Sequence, residues 1–137
     1  MPVRVRLEIR SRDGSRRVLE TALINTGFTS NSPDLALPVA IAERLGLWPA
    51  PHEAISVSVE TGGGVVESYI VPQAVVVRVV TEDRVGREVV ANALVNPFID
   101  EILVSDFLAE ELGTQIMSPR RGLWKFVDED RLRESAV

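Results

Sequence analysis

Apolar and charged residues alternate at the start of the chain, where every second residue over 3–9 is Val, Leu or Ile. A period of two predicts a β-strand with one buried face. Asp13-Gly14 follows, a pair that favours a tight hairpin turn. Residues 18–24 form the predicted returning strand, which runs into Asn25-Thr26-Gly27.

Most of the remaining chain also has strand-like patterns. Alternating or Val-rich segments cover 55–60, 65–71, 74–81, 87–95, 115–117 and 123–127, and a short apolar run covers 102–104. The run Thr61-Gly62-Gly63-Gly64 separates the first two and predicts a hairpin with a mobile tip, because ordering three glycines costs much conformational entropy. Residues 28–34, rich in Thr, Ser, Asn and Pro, are predicted to form a loop.

Two short helices complete the predicted architecture. The first covers 39–45, between Pro38 and Gly46, which follows the preference for proline at a helix start and glycine after its end. The second covers 106–112, with Ser105 as its cap and Gly113 after its end. The predicted fold is mostly β, with a single domain over 1–127 and a charged tail over 128–137 that we expect to fray.

Composition narrows the range of functions. The 137 residues carry 20 acidic and 15 basic side chains, a formal charge of −5, so nucleic acid is not a predicted partner. The absence of cysteine excludes disulfides and thiolate catalysis, and one histidine, His52, leaves no His-rich metal site. No apolar segment reaches the roughly 18 residues that span a bilayer or resembles a signal peptide, which predicts a cytoplasmic protein without membrane contact.

The order of these features resembles the retropepsin-like aspartic proteases, in their single-domain prokaryotic form. In that family a strand ends in Asp-Thr-Gly or Asp-Ser-Gly, a glycine-tipped flap covers the cleft, and two apolar residues followed by glycine enter a C-terminal helix. Here Ala-Leu-Ile-Asn-Thr-Gly-Phe-Thr (22–29) and Ile-Leu-Val-Ser-Asp-Phe-Leu (102–108) occupy those places. The resemblance runs from about Val3 to Val127 and implies a closed acid-protease barrel.

The resemblance also implies a set of site residues, with two departures from the family pattern. They are Asn25, Thr26 and Gly27 in the catalytic loop, Thr61, Gly62, Gly63 and Gly64 in the flap, and Leu103 and Val104 in the second loop, with no metal or cofactor. Asn25 stands where the family has its catalytic aspartate, and Val104 stands where it has glycine.

The family's chemistry requires two carboxylates that share one proton, so that one acts as base and the other as acid. Since this chain has one such triplet, the resemblance implies a symmetric homodimer that binds an extended peptide beneath the two flaps. Thr26 would then link the two loops, and Gly27 would allow close approach of the substrate.

Asn25 cannot ionise, so we expect no hydrolysis by the chain as written. The residue is either a substitution introduced to prevent self-digestion or native to a protease-like binding module. The sequence leaves three readings open: an inactivated aspartic endopeptidase, a non-catalytic dimeric module for peptide binding or self-association, and an unrelated small β-barrel in which Asn-Thr-Gly is only a turn. Of the nearby carboxylates, we expect Asp106 to serve its helix and Asp34 to hold the loop or face substrate.

Overall fold

The structure, a computed structural model, describes residues 2–136, apart from the side chain of Thr61. The strands are β1 (Arg4–Ser11), β2 (Arg17–Ile24), β3 (Asp34–Leu37), β4 (Ile55–Thr61), β5 (Gly64–Val79), β6 (Val89–Val95), β7 (Ile102–Val104), β8 (Thr114–Ser118), β9 (Leu123–Phe126) and β10 (Arg133–Glu134). The helices are α1 (Val39–Arg44) and α2 (Asp106–Glu111).

Six strands form a closed barrel in the order β1-β2-β7-β3-β6-β5, and pairing of β1 with β5 completes the ring. Every second residue points inward, so Leu7, Leu35 and Val77 are fully buried. Strand β4 lies outside this ring and, within the described residues, pairs only with β5, as a hairpin. The predicted mostly β architecture with two short helices is therefore confirmed.

The helix ends also follow the prediction. Ser105 Oγ accepts a hydrogen bond from Leu108 N at 3.1 Å, which is the predicted cap of α2. Gly46 and Gly113 follow the two helices with φ of +76° and +75°, a conformation that costs glycine little.

The segments 65–71 and 74–81, predicted as two strands, are one long bent strand instead. The single strand β5 pairs with β4, β6 and β1 in turn, and its register with β6 shifts between Val71 and Val75. Gln73 lies at this bulge with φ of +48°, and its N–H donates to Asn92 Oδ1 at 2.9 Å instead of to the ladder. The bulge redirects the strand without ending it.

Strand β3 was not predicted from the sequence. The pattern predicted a loop over 28–34 and no strand before α1, whereas β3 lies between β7 and β6 in the barrel. Its four residues, Asp34 to Leu37, are all buried. A strand covered on both faces loses the alternation by which strands are recognised in a sequence.

The expectation that the C-terminal tail frays was wrong. Strand β10 pairs with β9, and Ala136 N donates to Arg4 O at 2.8 Å. Arg133 is only 8% exposed and forms ion pairs with Asp83 and Glu129. The charges that predicted a solvated tail therefore hold it against the barrel.

Candidate functional site

The Asn25 loop begins as a tight turn at the end of β2. Phe28 N donates to Asn25 O at 2.9 Å, which closes a β-turn. Gly27 N donates to the side-chain Oδ1 of Asn25 at 3.1 Å. The predicted residues Asn25, Thr26 and Gly27 thus form one compact turn, with Thr26 exposed at its corner.

The structure brings this turn next to the second predicted segment. Strands β2 and β7 are parallel, and Ile24 pairs with Val104, so both end at the same rim of the barrel. Asn25 N donates to Val104 O at 3.0 Å across the two ends. The side chain of Val104 is fully buried in the core, so its backbone, rather than its side chain, contacts the turn.

The loop after the turn is fixed to the start of α2. Asp106 N donates to Phe28 O at 2.9 Å, and Ser30 N donates to Asp106 Oδ1 at 3.0 Å. The same carboxylate oxygen accepts the N–H of Phe107 at 2.7 Å. Asp106 therefore serves its helix as expected, since a negative charge stabilises a helix N-terminus, and it also anchors the loop.

Asp34 holds the other end of the loop. Its carboxylate is buried and accepts hydrogen bonds from Ser32 Oγ at 2.9 Å, from Asn92 Nδ2 at 2.8 Å and from the Ser30 hydroxyl. Its backbone N–H donates to Ser105 Oγ at 3.2 Å. Of the two roles left open for Asp34, these contacts support holding the loop.

An apolar strip, not predicted from the sequence, crosses the outside of the barrel beside this loop. We call it the outer row, and it consists of Leu23, Leu103, Ala36, Leu94, Ile70 and Ile55 on β2, β7, β3, β6, β5 and β4. Each residue pairs directly with the next. The row is about 24 Å long, since neighbouring strands lie about 4.8 Å apart.

The outer row is separate from the hydrophobic core. Among the described residues, the main core cluster includes none of its six members. Ala36 and Leu94 are nevertheless 3% and 6% exposed, while Ile55 is 57% exposed. Asn25 follows Leu23 by two residues and comes directly after the end of β2. The row therefore leads from the Asn25 turn to the base of the β4–β5 hairpin.

The hairpin itself is amphipathic. Its register places Val57 opposite Ser68 and Val59 opposite Val66, on the face that continues the outer row from Ile70. The other face carries the exposed residues Ser56, Ser58 and Glu67. The outer row and the Val-bearing face of the hairpin therefore form one continuous apolar surface.

The tip of the β4–β5 hairpin is open to solvent, while its predicted mobility stays a prediction. Gly62, Gly63 and Gly64 are exposed, and a Cβ added at Gly62 or Gly64 would meet nothing within 4 Å. Gly64 has φ of +117°, a region that side chains disfavour. The backbone of Thr61 pairs with Gly64, while its side chain lies outside the described part of the structure.

One polar atom on the apolar face lacks a partner. Ser68 is 6% exposed, and among the described residues its Oγ is the one buried side-chain nitrogen or oxygen without a hydrogen bond. Burying such a hydroxyl unpaired costs free energy. The sequence carried a weak signal for it, a serine that alternates with Val66 and Ile70 on an otherwise apolar strand face.

A cavity of about 760 Å³ lies elsewhere, and β1, β9 and the C-terminal segment line it, including Arg6, Trp124 and Arg131. None of the predicted site residues lines it. Over residues 2–136, no group of three His, Asp or Glu side chains is placed to hold a metal ion. No helix in the same range is long and apolar enough to cross a membrane.

Comparison with protein-family models found no match to this chain, and a search among curated proteins found no similar sequence. The function of the chain is therefore inferred from the geometry of the site and from the resemblance of its motifs.

Proposed function

We propose that the chain is a retropepsin-like protein that acts as a homodimer, binds an extended peptide between its two copies, and does not hydrolyse that peptide while residue 25 is asparagine. One observation carries the proposal. The Asn25 turn and the β7–α2 junction meet at one rim of the barrel, joined by the 3.0 Å bond from Asn25 N to Val104 O. An apolar strip leads from this turn to a glycine-tipped hairpin.

The hairpin and the outer row suit an extended chain. Strand β4 is an edge strand of the described sheet, so its outer N–H and C=O groups can pair with a peptide that adds as a further strand. Alternate side chains of that peptide would contact the apolar surface. Peptide recognition of this kind takes affinity from the backbone and selectivity from the pockets.

The lack of hydrolysis follows from the chemistry of residue 25. Water is activated by a carboxylate base, and the carbonyl oxygen is protonated by its acidic neighbour. The Asn25 amide matches a carboxylate in shape, but it neither accepts a proton from water nor supplies one. A symmetric dimer lacks both members of the dyad, and each acid–base group accounts for about two to four decades of rate.

Restoring the carboxylate tests the proposal. We expect Asn25→Asp to cleave a broad peptide library at acid pH, at least about a hundredfold faster than the unsubstituted chain, because the two aspartates would form the missing dyad. Asn31→Asp is the matched control, since it adds the same charge to an exposed position of the same loop. Rates are measured by mass spectrometry of the products.

Two results would contradict the proposal. The first is an Asn25→Asp protein that folds and sediments near twice 15.1 kDa but cleaves nothing. The second is a sedimentation mass near 15.1 kDa, because one subunit supplies only half of the site.

The second candidate function is a native non-catalytic module on the same scaffold. The hydrogen bond from Gly27 N to Asn25 Oδ1 favours it, since this amide has a structural task in its own turn. This candidate predicts that the unsubstituted dimer binds peptides and that Asn25→Asp, although folded, binds them without cleavage.

A further inference from the structure

We propose that Ser68 makes the apolar cleft selective for a peptide side chain that carries an uncharged hydrogen-bonding group. This inference rests on the proposed function, since it assigns a specificity to the same peptide-binding surface. Its basis is the unpaired hydroxyl of a serine that is 6% exposed.

The position of Ser68 follows from the strand register. It lies opposite Val57, and Val66 and Ile70 are its neighbours two residues away on the same face of β5. Ile70 in turn pairs with Leu94 of the outer row. Ser68 therefore lies on the face that leads to the Asn25 turn, and in the free chain its hydroxyl oxygen is buried among these apolar side chains.

The chemistry of this position determines which ligand it accepts. A buried hydroxyl without a partner keeps its desolvation cost until a ligand offers a donor or an acceptor. Surrounding Val and Ile side chains oppose a charged group, because burying a charge among them is costly. The side chain that fits is therefore that of Thr, Ser, Asn or Gln, and a purely aliphatic side chain leaves the hydroxyl unpaired.

One hydroxyl group can change the affinity for a ligand strongly. A site that is built to hydrogen-bond a group rejects the analogue that lacks it more strongly than an apolar pocket rejects an extra methylene. Thr and Val have nearly the same shape and differ mainly by one hydroxyl, so they form the most direct comparison. We expect a preference of about tenfold for Thr over Val at one position of the bound peptide.

The experiment measures how the unsubstituted chain and three variants bind to immobilised peptides. Each position of the peptide is in turn Thr or Val. The preference for Thr should disappear in Ser68→Ala and persist in Ser68→Thr. Ser56→Ala is the matched control, since Ser56 is exposed on the opposite face of the same hairpin.

A second readout without peptide is thermal unfolding. Ser68→Ala should raise Tm by about 4 °C, because it removes an unpaired buried hydroxyl.

Each other outcome overturns the inference. A lower Tm for Ser68→Ala means that the hydroxyl is already satisfied in the free protein. A raised Tm with an unchanged Thr/Val profile means that the hydroxyl does not contact the peptide. If no peptide binds to any of the proteins, the proposed function itself fails, whatever the effect on Tm, and the selectivity fails with it.

Discussion

At the residue scale, Asn25 and Asp34 stabilise the two ends of the loop that follows β2. The side-chain oxygen of Asn25 accepts a hydrogen bond from Gly27 N within the turn. Asp34 stays buried and accepts three side-chain hydrogen bonds. A carboxylate with donors on both oxygens is well suited to fix a loop of polar residues that cannot pack through apolar contacts.

Removing the Asp34 carboxylate should therefore destabilise the fold. We expect Asp34→Ala to lower the free energy of unfolding by about 2–3 kcal/mol, because Ser30, Ser32 and Asn92 lose their acceptor. Urea unfolding followed by circular dichroism measures this change. Asp100→Ala, at an exposed position, should change stability by less than about 0.5 kcal/mol. Equal effects of the two substitutions would show that the Asp34 network does not hold the loop.

At the element scale, α2 depends on Ser105 for two connections. The hydroxyl oxygen of Ser105 accepts the N–H of Leu108 within the helix and the N–H of Asp34 at the start of β3. It thereby joins the helix to the strand that was missed in the sequence. A cap that also binds a neighbouring strand supports the rim on which the Asn25 turn lies.

Removing the Ser105 hydroxyl should destabilise the start of α2. Ser105→Ala should cost about 1–2 kcal/mol of stability, as for other serine caps, and two backbone N–H groups would lose their acceptor. Hydrogen exchange should show faster exchange at Leu108 and Asp34 than in the unsubstituted protein. The control Thr29→Ala, exposed in the adjacent loop, should leave both amides unchanged. Equal protection in Ser105→Ala would rule out this role.

At the scale of the whole molecule, the C-terminal segment is held to the barrel by charge. Arg133 donates to Glu129 and to Asp83, and its guanidinium lies 5.3 Å from the centre of the Phe126 ring. The Arg133 hydrogen bonds lower the pKa of Glu129 to about 2 and also lower the pKa of Asp83. Trp124, buried beneath this segment, reports on the attachment.

These shifts determine how the attachment depends on pH. Both carboxyls have a lower pKa when folded than when unfolded, so their contribution is complete above about pH 4.5 and is lost as the pH falls toward 2. We expect Trp124 fluorescence, measured in a Trp48→Phe background, to change reversibly over this window. In Arg133→Met the ion pairs of Arg133 are absent, so the change over this window should become smaller. Some change should remain, because Asp83 keeps Arg131 and Glu129 keeps Arg84 as partners. A flat signal in the parent protein would contradict the prediction.

Much of the architecture followed from local patterns. The hairpin of β1 and β2, both helices with their glycine ends, and the β8–β9 hairpin were predicted because period-two alternation, caps and positive-φ glycines are local properties of the chain. The sequence also supplied the candidate turn at Asn25 and its partner segment at Leu103 and Val104. It could not show that these segments meet, since that depends on the pairing of β2 with β7.

The sequence by itself therefore determined the β class, the helix ends and an asparagine in place of an ionisable residue. Tertiary structure decided the rest. Both faces of β3 are covered, so it forms a strand without the alternation that would predict one. The charged tail is ordered because Arg133 forms ion pairs with Asp83 and Glu129. The outer row exists only when six strands are aligned in register. The physical reason is that each of these features consists of contacts between residues distant in the chain, and local periodicity does not encode them.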